Sequence, residues 1–171
     1  MTGSRTTGGD DAALEAVRSD ALRLLKARSR TRRELSDRLV KKGHAKSDIG
    51  TLLNAFERSG LIDDETVARA HAASALARAP RGESWLRQSL RRRGIEAELA
   101  TRIAREAMHD RDPLADAMAL ASRRAALAKR HEPPEATSRR VMAFLARRGY
   151  DIDVCKRAVA HAMRQDVSAG E

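Results

Sequence analysis

Residues 31–43 read "TRRELSDRLVKKG", and this stretch carries the start signal, the apolar face and the stop signal of one short helix. Thr31 and, three residues later, Glu34 form a capping box, in which each side chain satisfies the free backbone N–H of the other residue. Two leucines four residues apart lie on one face. The last turn carries cations that complement the helix dipole, and a glycine that takes the left-handed conformation ends the helix: Lys41, Lys42 and Gly43.

The ending of this helix recurs twice along the chain. "LVKKG" at 39–43 is followed by "LRRRG" at 90–94 and "LARRG" at 145–149, so Gly43, Gly94 and Gly149 lie 51 and 55 residues apart. After each glycine, an acidic residue precedes an apolar one. Repeats of about 50 residues are typical of stacked units that bury their apolar faces on neighbours.

Apolar residues at spacings of three and four predict about nine helices and no strand. A long helix (11–28, 63–79 and 113–130) is followed each time by two shorter ones. The predicted fold is therefore all-α, an elongated array of three tandem three-helix modules without a sheet. The predicted modules are 11–60, 61–111 and 112–164, between disordered tails at 1–10 and 165–171.

Acidic residues stand at helix starts rather than in metal-ligand patterns. Asp63 and Asp112 are predicted N-caps, Pro113 occupies the first helical position, and Gly60 ends the third helix. We interpret Asp64, Glu65 and Asp110 in the same way, and the histidines show no H-E-x-x-H spacing. The sequence therefore predicts neither a metal site nor a cofactor.

Positive charge is the main functional signal. The chain has 34 Lys and Arg against 24 Asp and Glu, a formal net charge of +10, which favours a polyanionic partner. If the modules stack regularly, cations at their helix ends form a row that tracks a phosphate backbone or a repeating acidic protein surface. The alternative is that they only complement helix dipoles in water. The candidate contact residues are Lys41, Lys42, Arg87, Arg91, Arg92, Arg93, Arg147 and Arg148.

Several protein classes are disfavoured by the composition. The single cysteine, Cys155, excludes an internal disulfide and fits a small buried residue in a cytoplasmic protein. No run of about 18 apolar residues predicts a membrane span. His71 and His161 have no evident nucleophile or carboxylate partner, and there is no phosphate-binding glycine loop. We predict a monomer without catalytic residues, and we assign the four aromatic residues to core packing.

Four segments together resemble the RecX regulatory proteins, from about residue 21 to 163: "ALRLLKARSRTRRELSDRLVKKG", "GLIDDETVARAH", "WLRQSLRRRGI" and "FLARRGYDIDVCKRAV". The resemblance implies a tandem three-helix-repeat protein, not an enzyme, that binds the RecA recombinase in the groove of its filament on DNA. It further implies that the protein restrains filament growth, ATP hydrolysis, strand exchange and co-protease activity in DNA repair, recombination and the SOS response. In addition to RecA binding, we expect weak DNA binding that does not depend on the DNA sequence.

Two other functions remain open at this point. The segment "ELSDRLVKKGHAKSDIGTLLNAFERSGLID" reads like the helix, turn and recognition helix of a winged-helix DNA-binding regulator. That fold requires a β-hairpin after "GLI", where an alanine-rich helix is predicted instead. The third reading is a helical adaptor whose cations meet an acidic protein surface.

Overall fold

The computed structural model describes the backbone of residues 7–127 and 133–168, and the side chains of 11–127 and 133–164. Within these ranges the chain forms nine α-helices and no strand, which confirms the predicted all-α class. The helices are α1 (Thr7–Ala27), α2 (Arg32–Lys41), α3 (Lys46–Arg58), α4 (Asp64–Arg78), α5 (Glu83–Arg92), α6 (Ala97–Ala107), α7 (Pro113–Ala125), α8 (Pro134–Arg147) and α9 (Ile152–Ser168).

Three helix ends differ from the sequence prediction. Helix α1 begins at Thr7 and α9 continues to Ser168, so both enter segments predicted as disordered tails. Nothing local stops α9, because the chain has no glycine or proline between Asp151 and Gly170. Helix α7 ends at Ala125 rather than at residue 130. The remaining parts of these predictions, residues 1–6, 128–130 and 169–171, lie outside the described residues.

Helices α1, α2 and α3 pack on one another around a large-residue core. Leu35 and Leu39 of α2, which the sequence places on one helix face, are fully buried there. Burying a leucine side chain stabilises the fold by roughly 1.5–3 kcal/mol, so this face contributes much of the local stability. The core consists of Val17, Ala21, Leu35, Leu39, Ile49, Leu52, Leu53, Phe56 and Ile62.

Helices α7, α8 and α9 pack around a core of smaller residues. Ala117, Ala121 and Ala125 recur every four residues and are buried, so one side of α7 is a stripe of methyl groups. Small side chains let two helix backbones approach closely. The core also contains Val141, Leu145, Tyr150, Cys155, Ala158, Val159 and Ala162.

The described chain divides into two compact units. The first contains residues up to Ala68 together with Arg91–Glu96, and the second contains Arg69–Leu90 together with the residues from Ala97 onwards. The boundaries fall inside α4 and close to the end of α5. The division into three modules at 11–60, 61–111 and 112–164 stays a prediction.

Candidate binding surface at the basic helix ends

Three helices of the chain end in the same way. Helix α2 ends at Lys41, α5 at Arg92 and α8 at Arg147, each followed by a second cation and a glycine. The three glycines, Gly43, Gly94 and Gly149, have φ of +90°, +86° and +82°, the left-handed conformation that terminates a helix. We call Lys41, Arg92 and Arg147 the leading cations, and Lys42, Arg93 and Arg148 the trailing cations.

The start of helix α2 is fixed by its cap. The Thr31 hydroxyl accepts the backbone N–H of Glu34 at 3.1 Å and donates its own proton to the carbonyl of Arg93 at 2.7 Å. Asp112 caps α7 by accepting the N–H groups of Leu114 and Ala115, with Pro113 at the first helical position. These caps satisfy backbone donors that the helix itself leaves free.

The trailing cations are bound within the protein. Lys42 Nζ lies 2.6 Å from Asp20 Oδ1, and His44 Nε2 lies 2.9 Å from the other oxygen of the same carboxylate. The hydrogen bond from Lys42, and after it that from His44, holds the pKa of Asp20 well below its usual range. Lys42 therefore already has a carboxylate partner.

Arg93 makes a bidentate ion pair with Glu34. Its Nε and Nη2 donate to the two carboxylate oxygens at 2.9 and 3.1 Å, and both side chains are about four-fifths buried. Burial is the largest influence on the pKa of Glu34 and raises it, but the net shift is downward. The hydrogen bond and charge of Arg93, the charge of Arg28 and the N–H of Thr31 outweigh burial. Arg93 is therefore held by its partner.

Arg148 is bound by other residues of its own unit, the second one. Its Nη1 donates to the carbonyl of Pro80 at 3.2 Å, and its guanidinium carbon lies 4.7 Å from the centre of the Phe144 ring. Arg124 stacks on the same ring at 5.4 Å. Cation–π contacts of this kind contribute about 0.5–2 kcal/mol, so Arg148 also has a structural role.

The leading cations are exposed, as Lys42 also is, and they differ from the trailing cations in having no internal partner. Lys41, Arg92 and Arg147 make no ion pair or side-chain hydrogen bond with any described residue, and the same holds for Arg87 and Arg91. A cation without an internal partner can contact an external anion without first breaking an ion pair. The eight predicted contact residues thus separate into five exposed cations and three that are bound internally.

Two of the three glycines pack closely against another helix, which places the trailing cations Arg93 and Arg148 at a packed contact. A Cβ at Gly94 would lie 2.4 Å from Cβ of Arg33, and one at Gly149 would lie 2.2 Å from the backbone nitrogen of Trp85. Each glycine thus presses against the start of another helix inside its own unit. The Gly82 N–H donates to the carbonyl of Arg148 at 2.9 Å, as the Thr31 hydroxyl does to that of Arg93. Gly43 differs, because a Cβ there would meet nothing within 4 Å.

A second cluster of arginines was not predicted from the sequence. Arg81 stacks on Trp85 at 4.4 Å, and the buried hydroxyl of Tyr150 has no hydrogen-bond partner among the described residues. Burial, followed by the charge of Asp116, raises the pKa of Tyr150 to about 12, while nearby arginines oppose the shift: Arg148, Arg111 and Arg81. The spacing of four residues in Arg81–Trp85 and Phe144–Arg148 was the available signal.

The aromatic residues only partly match their predicted role in the core. Phe56 and Tyr150 are buried, but Trp85 and Phe144 are half-buried. Phe144 still packs against the core of α7, α8 and α9, with Arg124 and Arg148 on its ring. Trp85 lies outside both core clusters, and Arg81 stacks on its ring.

His71 and Cys155 both contact other residues of the protein. His71 Nε2 lies 2.8 Å from Oγ of the buried Ser89, a partner that the sequence did not reveal. Cys155 is fully buried, and burial raises the pKa of its thiol.

Within the described residues, no group of three or more His, Cys, Asp or Glu side chains could hold a metal ion. In the same part of the chain, no helix has the length and apolar character to cross a bilayer.

Comparison with known proteins gives the chain a family. Residues 18–54 match the model of the first three-helix domain of RecX, and residues 110–159 match that of the third. The regulatory protein RecX of Chromohalobacter salexigens is 39% identical over 85% of this chain and 91% of its own length. The chain belongs to the RecX family. The RecX protein of Halorhodospira halophila is 36% identical over 91% of this chain and 93% of its own.

Solved RecX structures share the fold. The crystal structure of RecX from Lactobacillus salivarius superposes with a TM-score of 0.75 at 18% identity, over 89% of this chain and 97% of the other. A second crystal structure, of a regulatory protein RecX, gives 0.77 at 18% identity over 92% and 80%. The RecX fold therefore extends over most of the chain.

Proposed function

We propose that this RecX-family chain regulates the RecA recombinase of its own cell. It binds RecA and the RecA filament on DNA, and it restrains filament extension, ATP hydrolysis, strand exchange and co-protease activity. It does so in the cytoplasm during DNA repair and recombination, as a monomeric binding protein that needs no cofactor and catalyses no reaction. Membership of the RecX family is the observation that carries the proposal.

The five exposed cations support a polyanionic or acidic partner. Lys41, Arg87, Arg91, Arg92 and Arg147 are available for intermolecular contacts on a chain whose formal net charge is +10. A RecA filament is a repeating assembly, and the leading cations recur about every 50 residues. Matching one repeat with another allows several weak contacts to act together.

Direct binding to DNA is proposed to be weak and independent of sequence. Neutralising a phosphate of duplex DNA changes the slope of log affinity against log salt by about −0.9. If these five cations made all the contacts, the slope would be no steeper than roughly −4.5. The dependence of binding on salt therefore measures how many of them reach phosphates.

The winged-helix alternative does not hold. Its wing would follow Ile62, but residues 64–78 form helix α4, and the described residues contain no β-hairpin. The helical-adaptor alternative differs from the proposal only in the partner that the chain binds. An assay with RecA therefore distinguishes the two functions.

Titration of the ATPase activity of RecA tests the proposal. The purified chain is added to its own RecA on saturating single-stranded DNA, and we expect suppression at substoichiometric amounts. An unchanged rate up to equimolar protein would remove the function. Suppression that disappears when single-stranded DNA is added in excess would indicate sequestration of DNA rather than binding to RecA.

A further inference from the structure

A cavity of about 440 Å³ lies in the first unit, between the end of α1, the loop before α2 and the start of α4. None of its lining residues belongs to the predicted contact set. Its walls combine aliphatic and cationic side chains. The residues that matter are Leu22, Lys26, Arg30, Leu61, Asp63 and Val67.

The apolar part of the cavity is exposed. Leu22 and Leu61 are 41% and 48% exposed, and they are two of the five large apolar side chains with high exposure in the described chain. Val67, which also lines the cavity, is buried. An apolar side chain that entered the cavity would remove both exposed leucines from water, which is favourable.

The cationic part contains a buried arginine with an unused donor. Arg30 is only 6% exposed, and its Nε donates to the carbonyl of Leu24 at 3.1 Å. Its Nη1 has no hydrogen-bond partner among the residues that the structure describes. Burial, followed by the charges of Arg28 and Arg38, lowers its pKa, and Glu34 is the one acidic group acting against this. A buried donor without an acceptor favours the arrival of an anion.

Asp63, the acidic residue that lines the cavity, does not supply the missing acceptor for Arg30. The Asp63 carboxylate accepts the backbone N–H groups of Glu65 and Thr66 at 2.9 and 3.2 Å, so it serves as the cap of α4. Lys26 is exposed and has no partner among the described residues. The cavity thus has two cationic groups and no free carboxylate for them.

We propose that this cavity binds a segment of the protein partner in which an aliphatic side chain lies next to a carboxylate. The aliphatic side chain covers Leu22 and Leu61, and the carboxylate accepts from Arg30 and Lys26. A nucleic-acid phosphate would satisfy the cations but would leave both leucines in water, so a protein segment fits better. That the partner is RecA rests on the function proposed above.

Photo-crosslinking locates the occupant. p-Benzoylphenylalanine replaces Leu61 in one variant and Leu127, which is 67% exposed in the second unit, in a control variant. With RecA filaments on single-stranded DNA, we expect position 61 to crosslink to a RecA peptide that contains Asp or Glu beside Leu, Ile or Val. Crosslinks from position 61 to DNA alone, or no more crosslinking to RecA than from position 127, would overturn the proposal.

Two matched substitutions test the charge requirement. Leu61→Gln and Leu61→Glu have nearly the same shape, but only the second offers Arg30 a carboxylate from the protein itself. We expect binding to RecA filaments, measured by co-sedimentation, to weaken about fivefold for Leu61→Gln and clearly more for Leu61→Glu. Leu127→Gln should stay within about twofold. Unchanged binding by both Leu61 variants would overturn the proposal.

The same samples separate the two claims. If the unsubstituted chain does not suppress the RecA ATPase, the proposed function fails. If it does suppress the ATPase and the Leu61 variants act equally well, only the cavity inference fails. Thermal unfolding followed by circular dichroism checks that each variant is folded.

Discussion

At the scale of single residues, two adjacent cations differ in what they can do. Each basic pair reads the same in the sequence, yet the trailing cation has an internal partner and the leading one is exposed. The partners lie far away along the chain: Asp20 for Lys42, Glu34 for Arg93 and Pro80 for Arg148. Local sequence patterns therefore identify the basic pairs but not which member of each pair is free.

Arg92 and Arg93 form a matched pair for testing this difference. Arg93→Ala leaves the largely buried Glu34 carboxylate without its bidentate partner, so we expect a loss of about 1–3 kcal/mol in the free energy of unfolding. Arg92→Ala should change it by less than about 0.5 kcal/mol, because Arg92 is exposed. Urea denaturation measures both. Equal losses would mean that the Arg93–Glu34 ion pair does not stabilise the fold.

Tyr150 gives a second prediction at this scale. The chain has one tyrosine, so the absorbance of tyrosinate at about 295 nm reports it alone. In the folded chain it should ionise near pH 12, against an ordinary value of 10.0, because burial disfavours the charged form. Its contribution to stability is complete below pH 10 and is lost as the pH rises towards 12. A midpoint near 10 in the folded chain would contradict the burial of its hydroxyl.

At the scale of helices, the ends of α2, α5 and α8 show what a glycine contributes beyond its conformation. All three glycines have positive φ, but only Gly94 and Gly149 also press against another helix start. Gly43 has open space where they have contacts. The same motif therefore ends a helix at one site and allows close packing at two others.

Replacing these glycines by alanine should separate the two effects. Gly43→Ala places a side chain in the left-handed region and should cost about 1–2 kcal/mol. Gly149→Ala adds a clash with the backbone of Trp85, 2.2 Å from the new Cβ, and should cost clearly more. Thermal unfolding followed by circular dichroism gives the order. Similar midpoints for the two variants would argue against the close packing at Gly149.

Helix position was more predictable than helix length. Periodic leucines and the T-x-x-E and K-K-G signals located α2 with its buried face, because these signals act within a few residues. The ends of α1, α7 and α9 were placed less well, since no strong stop signal stands at any of them. The cavity beside Arg30 could not be predicted, because its residues come from three separate segments.

At the scale of the whole chain, the all-α class followed from apolar periodicity, and the four resembling segments indicated the RecX family. The two compact units could not be inferred, since their boundaries depend on contacts between residues distant in sequence. The arrangement of the leading cations in one row stays a prediction for the same reason. The net charge favours a polyanionic or acidic partner, but it does not indicate which of the 34 cations would contact that partner.

We propose that the leading cations contact the RecA filament, and two triple variants with equal charge changes test this. Lys41, Arg92 and Arg147 are all replaced by alanine, and a control variant loses three other exposed cations without described partners, Arg18, Arg58 and Arg157. Both variants change the net charge equally, so a general electrostatic effect would weaken both alike.

The decisive measurement is suppression of the single-stranded-DNA-dependent ATPase of RecA by the unsubstituted chain and these two variants. We expect the variant that lacks the leading cations to need at least about tenfold more protein for the same suppression, while the control stays within about twofold. Equal potency of the two variants, or full potency without the leading cations, would contradict the claim.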